Sequence, residues 1–404
     1  MKRSAVVLSF LVLAACGSRT GLSGGTAQPP VAECTWSIVG NAVRVSPATV
    51  RIAEYAHSLV DAIPTANGAL IAWRTEANDA PHEIVVRRLA WDLVANGDPH
   101  LQTFAPWFSE KSVWLADGFE HTALGATTGN VIVRPLSGDG VSNGAPVTLD
   151  PGHLLSLRAT PSGFDALVGS ANGEGTVELV QLDPTGAQLA HTTLFSASAH
   201  DFFSGVSGRA TLADGSFIAT STMAPSANRI AIVAQHFAAN GGALAALRTV
   251  ATADIDADVS WQLPVVPVPG GALAAWVTRN DVESKLLVRP LSPDAVPQGD
   301  AIVLAELGND AVVRAFDLKA DGHRGALAAW VAVHPQSVRT IHLRALTPGG
   351  NPIGAQVDLP PIAGLTIDPL HLRVAIDGER GLLVFSAQVD DGIRVHAVRL
   401  SCDP

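Results

Sequence analysis

Seven glycines recur at similar intervals and constrain this chain more than any other feature. Gly68, Gly118, Gly163, Gly215, Gly271, Gly325 and Gly381 are 50, 45, 52, 56, 54 and 56 residues apart, and each opens an apolar run that ends at a polar break. The clearest copy is residues 325–359, GALAAWVAVHPQSVRTIHLRALTPGGNPIGAQVDL. Its first run ends in Trp330, its second in Arg344-Ala345-Leu346, and a Pro-Gly-Gly-Asn-Pro turn leads into a third. Another apolar stretch precedes each glycine, such as Val113-Trp114-Leu115 or Val312-Val313-Arg314-Ala315-Phe316. Each unit therefore predicts four short strands, A to D, with the glycine in or just after the A–B turn. The composition agrees: 37 Gly, 26 Pro and 47% hydrophobic against 16% charged residues suit short strands joined by tight turns.

Strand B is apolar in both directions. Ala326, Ala328 and Trp330 fall on one face, Leu327, Ala329 and Val331 on the other. A strand covered on both faces must lie between two neighbouring sheets, and repeats of this length with four antiparallel strands suit a radial arrangement. The expected fold is an all-β, seven-bladed β-propeller of four-stranded antiparallel blades. Trp73, Trp276 and Trp330 are expected in its core. Arg87, Arg134, Gln181, Gln235, Arg289, Arg344 and Arg399 recur just before the closing Leu or Phe of strand C, and this repetition points to packing against a neighbouring blade or turn rather than to an anion site.

The seventh unit has strands A to C at 370–376, 382–387 and 393–400, and then the chain stops. Gly40-Asn41-Ala42-Val43, leading to Val50-Arg51-Ile52, reads like Gly350-Asn351-Pro352-Ile353 and the D strand after it. The front of the chain is thus expected to close the last blade. The pattern G-x-x-x-x-W, then R-x-L or Q-x-F, then a glycine turn with N-P-I-G resembles repeats of bacterial extracellular propeller-like proteins. It covers most of residues 34–402 and implies a fold, with no catalytic residues to carry over.

Residues 1–15 read as a signal peptide: Lys2 and Arg3 precede a short apolar stretch, Ala5 to Leu13. Leu13-Ala14-Ala15-Cys16 resembles the lipobox of bacterial lipoproteins, which implies cleavage before Cys16 and its lipidation. Gly17 at the next position resembles lipoproteins sent on to an outer membrane. Residues 16–33 are the lipidated Cys and a Gly/Ser/Pro tether spanning roughly 20 Å, and 34–404 form the propeller. Gly21-Leu22-Ser23-Gly24-Gly25 matches G-x-S-x-G, but that elbow needs a strand before it and a helix after it. With Cys16 lipidated, Cys34 and Cys402 remain, an even pair for an oxidising compartment. The repeat alignment brings them together, so a Cys34–Cys402 disulfide is expected.

Removing Lys2 and Arg3 takes the net charge from −11 to −13. So acidic a body disfavours nucleic acid and anionic bilayer surfaces as partners.

Chemistry, if any, is expected at the central mouth. His57, Glu110, His153, Asp201, Asp258, Asp310 and His371 each lie near the start of an A strand and, if pointing inward, would ring it with carboxylates and imidazoles. The plainer reading is that they cap turns or face water. Asp254, Asp256 and Asp258 form a D-x-D-x-D string, but Val259 and Val265 stand where a calcium loop of the EF-hand type needs Gly and Glu. No cofactor is expected, with an irregular Ca2+ site as the exception. His82-Glu83 lacks the second histidine of a zincin motif. Trp107, beside Phe104 and Phe108, is the exposed-aromatic candidate.

The expectation is a non-catalytic, monomeric, lipid-anchored protein of the outer membrane that binds another envelope protein or a polysaccharide. The alternative is an extracellular glycan-active enzyme, a hydrolase or lyase, using mouth carboxylates.

Overall fold

The computed structural model describes residues 35–403 apart from 47–59, 76–82, 104–112, 128–129, 171–175, 197–201, 227–228, 255–257, 260–262, 281, 309–310, 323 and 391. Seven four-stranded antiparallel blades form a ring, a seven-bladed β-propeller. Blade 6 shows the unit: A strand Val312–Ala320, B strand Ala326–Val333, C strand Arg339–Leu346 and D strand Pro352–Asp358, paired in that order. Val147–Thr160 runs unbroken from the D strand of blade 2 into the A strand of blade 3. That omitted D–A loop accounts for the shortest glycine spacing.

Each B strand is sandwiched as its apolar pattern requires. Ala326, Ala328 and Trp330 belong to the core between blades 5 and 6, while Leu327, Ala329 and Val331 belong to the core between blades 6 and 7. Fully burying a Leu- or Phe-sized side chain contributes about 1.5–3 kcal/mol, and the pattern repeats at every interface. Trp73, Trp276 and Trp330 are all buried. Trp107 lies outside the described residues.

Three of the five recurring strand C arginines link blades. Arg87 of blade 1 donates to the Val45 carbonyl beyond the last D strand, Arg134 of blade 2 to Gln102 Oε1 on the D strand of blade 1 at 3.1 Å, and Arg289 of blade 5 to the Val250 carbonyl of blade 4. Each reaches back to the preceding blade's outer strand.

Thr35–Arg44 supplies the D strand of blade 7 by pairing with Gly392–Asp403, so front and back of the chain close the ring. It starts earlier than the Gly-Asn signal suggested. Trp36, buried against the blade 6–7 core, fixes the register opposite Cys402. Gly40 is a bulge with φ +78° inside the strand, where Val39 pairs with Arg399 and Val43 already with Ala397. Cys402 is disulfide-bonded, and Cys34 lies outside the described residues.

Candidate functional site

The inner strands carry the polar groups that could form a site. Each A strand has a ladder partner on one side only, so N–H groups on its inner edge need acceptors when buried. Two carboxylates supply them. Asp61 of blade 1 accepts from its neighbour Ala62 at 2.9 Å and from Leu115 on the A strand of blade 2 at 2.7 Å. Asp317 of blade 6 accepts from Leu318 at 3.0 Å and from Val374 on the A strand of blade 7 at 2.9 Å. Both are buried. Arg373 Nε of blade 7 lies 3.5 Å from Asp61, with its guanidinium 5.9 Å from the Trp114 ring centroid, and Trp114 Nε1 donates to Leu154 of blade 3 at 3.0 Å. Blades 7, 1, 2 and 3 are thus tied at the centre by side chains.

Between blades 3 and 4, two guanidiniums share one carboxylate. Arg209 donates to Asp165 at 2.8 Å and stacks 4.0 Å above the Phe217 ring, while Arg158 donates to Thr211. Gln181 bridges Asp165 and the Ala239 carbonyl, both at 3.3 Å. Burial lowers the pKa of both arginines; the Asp165 charge opposes the shift, and at Arg158 the Arg209 charge adds to it.

Of the proposed mouth ring, His371 is the member whose contacts are clearest, and they do not place it at an open mouth. It is 1% exposed. Its Nδ1 lies 2.8 Å from Asp368 Oδ2 and 3.0 Å from Ser386 Oγ, and Ser386 donates to the same Asp368 oxygen at 2.7 Å. In a nucleophilic triad the serine and the carboxylate take opposite ring nitrogens; here both meet Nδ1, deep inside blade 7. Burial acts to raise the Asp368 pKa, but bonds from His371, Ser386 and the Leu370 N–H outweigh it and leave the carboxyl lowered. The bulge between Ile367 and Leu372 re-aims this stretch away from the regular alternation.

His153 is half-buried at the start of the A strand of blade 3, paired with Gly169. Asp258, on the A-strand side of blade 5, lies in register with Arg279 at the end of strand B, and Asp254 ends the D strand of blade 4. His57, Glu110, Asp201, Asp256 and Asp310 lie outside the described residues. Among the described residues no group of three or more His, Cys, Asp or Glu is placed to hold a metal ion.

Another Ser–His contact belongs to a turn. His236 Nε2, on strand C of blade 4, lies 2.8 Å from Ser216 Oγ, which donates to Asp214 in the A–B turn, with Ser216 buried. Exposed apolar side chains occur on both rims: Phe119 and Val94 at A–B and C–D turns, Val282 and Val338 at B–C turns. Asp61 and Asp317 were not singled out in the sequence. Their signal is a carboxylate between apolar neighbours inside an A strand, Val60-Asp61-Ala62 and Phe316-Asp317-Leu318.

No family model and no curated protein matches this chain. Solved structures do. The β-propeller domain of Myceliophteria thermophila Cps50 (Swd1) is 12% identical with a TM-score of 0.50, over 88% of this chain and 98% of that one. A chain of the Mitotic Checkpoint Complex is 13% identical, TM-score 0.49, over 93% and 98%, and the Nup133 β-propeller domain of Vanderwaltozyma polyspora 9%, 0.48, over 92% and 98%. At 12% identity the likeness to the Cps50 domain is one of fold, and with the seven closed blades it makes this chain a β-propeller.

Proposed function

We propose that this chain is an outer-membrane lipoprotein, anchored through Cys16, whose propeller binds another envelope protein or a polysaccharide without catalysis. The observation that carries the reading is the N-terminal segment, a basic start and short apolar stretch leading to Leu13-Ala14-Ala15-Cys16. Gly17 after it favours the outer membrane. A binding role is supported by the state of the central polar groups. A general acid or base needs a free proton site facing substrate, whereas Asp61 and Asp317 are committed to backbone N–H groups and Asp368 to His371 and Ser386. Exposed apolar side chains on the two rims offer contact points for a protein partner.

With Cys16 taken by lipid, Cys34 is the remaining partner for the disulfide-bonded Cys402, two residues from Trp36 that pairs with it. Closing so long a loop stabilises by about 6 kcal/mol in the chain-entropy model.

The test is metabolic labelling with an alkyne fatty acid in cells expressing the full chain or its Cys16→Ser variant. Label and outer-membrane fractionation should both be lost in Cys16→Ser; label retained by the variant would refute the anchor. A pull-down from envelope extract with the 34–404 body should then retain a specific protein or glycan, and turnover of glycan by that body would refute the non-catalytic reading.

A further inference from the structure

The closing strand is held in two unequal halves. Below the bulge, residues 35–39 pair continuously with 399–403. Above it, Val43 pairs with Ala397 and Arg44 with His396, then Val45 donates to the Val395 carbonyl at 2.8 Å and Val395 donates to Ser46 Oγ at 3.2 Å. Gly40, where a Cβ would meet no atom within 4 Å, separates the two ladders. The upper half is short and has its own register.

His396 lies in the middle of that upper half. It is 5% exposed, stacks on Phe385 with centroids 5.8 Å apart, and neither ring nitrogen has a hydrogen-bond partner. Its surroundings hold cations. Arg44 lies opposite it on the closing strand, and Arg394 is two residues away on the same face of its own strand. The B strand of blade 7 turns Leu383, Phe385 and Ala387 to this interface, and the A strand turns Leu372, Val374 and Ile376. From blade 6 come Arg339, which donates to the Ile367 carbonyl at 2.7 Å, and Asp317 on the distant inner strand, already committed to Leu318 and Val374.

We propose that the upper half of the closing strand is an acid-released latch whose trigger is protonation of His396. A neutral imidazole fits this apolar, cation-flanked slot. An imidazolium there would add a buried positive charge that no acceptor among the described residues meets, and it is relieved when residues 43–46 lift away and expose the ring. Burial first, then Arg44 and Arg394, lower the pKa of His396 from 6.5 to about 4 in the closed state. The closed state therefore binds fewer protons than the open one between these values, so closure is fully favoured above 6.5 and weakens as pH falls towards 4. Linkage between those two values makes opening about 30-fold more frequent at pH 5 than at pH 8.

The experiment is amide hydrogen exchange on the full, oxidised protein at pH 8 and pH 5, with protection corrected for intrinsic exchange, in wild type and His396→Phe. Wild type should lose about 30-fold protection at Val45 and Val395 while residues 36–38 and the blade 6 ladder keep theirs, and His396→Phe should show no such loss. If His396→Phe does not fold, His396→Gln supplies the same comparison. An unchanged upper ladder in wild type, an equal loss in the variant, or a loss shared by all blades would each overturn the latch.

Discussion

A Cβ placed on Gly325 would lie 2.0 Å from the carbonyl oxygen of Leu346, on the next strand of the same blade. The same approach recurs between Gly68 and Leu89 at 1.8 Å, Gly271 and Leu291 at 1.9 Å, and Gly163 and Leu182 at 2.3 Å. In these four blades the repeated glycine and the repeated closing leucine are therefore one feature: the start of strand B lies too close to the end of strand C for a side chain.

Gly325→Ala should accordingly destabilise the propeller by about 3 kcal/mol or more, since neither backbone can yield without breaking the ladder. Gly215 lies in the A–B turn of blade 4, one residue before the equivalent position, which Ser216 fills, with φ +85° and no atom within 4 Å of its Cβ direction. Gly215→Ala should cost only about 1 kcal/mol, the penalty of the left-handed backbone alone. Urea unfolding midpoints of the two variants check the contrast.

Asp317→Ala removes the acceptor of two N–H groups at the centre of the ring, those of Leu318 and Val374. Leaving them unsatisfied should cost about 2–5 kcal/mol. Asp317→Asn keeps one carbonyl oxygen and should lose less. Chemical denaturation of both variants gives the ordering, and exchange at the Val374 amide localises it.

At the blade 3–4 interface, Asp165→Ala should cost about 3–5 kcal/mol, because it strands Arg209 beside Arg158. Arg209→Met keeps apolar packing on Phe217 but leaves the buried Asp165 carboxylate with Gln181 and the nearby Arg158 charge, and should cost less than Asp165→Ala. The double variant should recover much of the Asp165→Ala loss, which a double-mutant cycle on unfolding free energies would read out.

Asp368 has a folded pKa below its usual 3.8. The unfolded chain then binds its proton first on acidification, so this group's stabilisation is present above 3.8 and is lost as pH falls through the lower folded value. Thermal unfolding between pH 6 and pH 2.5 should show a steeper acid loss in wild type than in Asp368→Asn.

The blade count, the double-sided B strands and the borrowed last strand were legible because they follow from local periodicity. Residues alternating apolar on both faces over eight positions, as in Ala326–Val333, can be buried only between two sheets, wherever those sheets come from. Arg87, Arg134 and Arg289 were legible as packing for the same reason, since repetition around a ring reports the ring. The start of the closing strand was misplaced because a bulge glycine, Gly40, has the same sequence signature as a turn glycine.

Only the tertiary structure decided what the polar residues do. Asp317 and its acceptor role depend on Val374, 57 residues away, and Asp165 is matched with Arg209 only because blades 3 and 4 are neighbours. His371, in sequence a candidate for the mouth, is buried within blade 7 against Asp368 and Ser386, beside a bulge. Burial of apolar area is non-directional and can be read from pattern alone, whereas a hydrogen bond is fixed to within tenths of an ångström by register, which no stretch of sequence carries by itself.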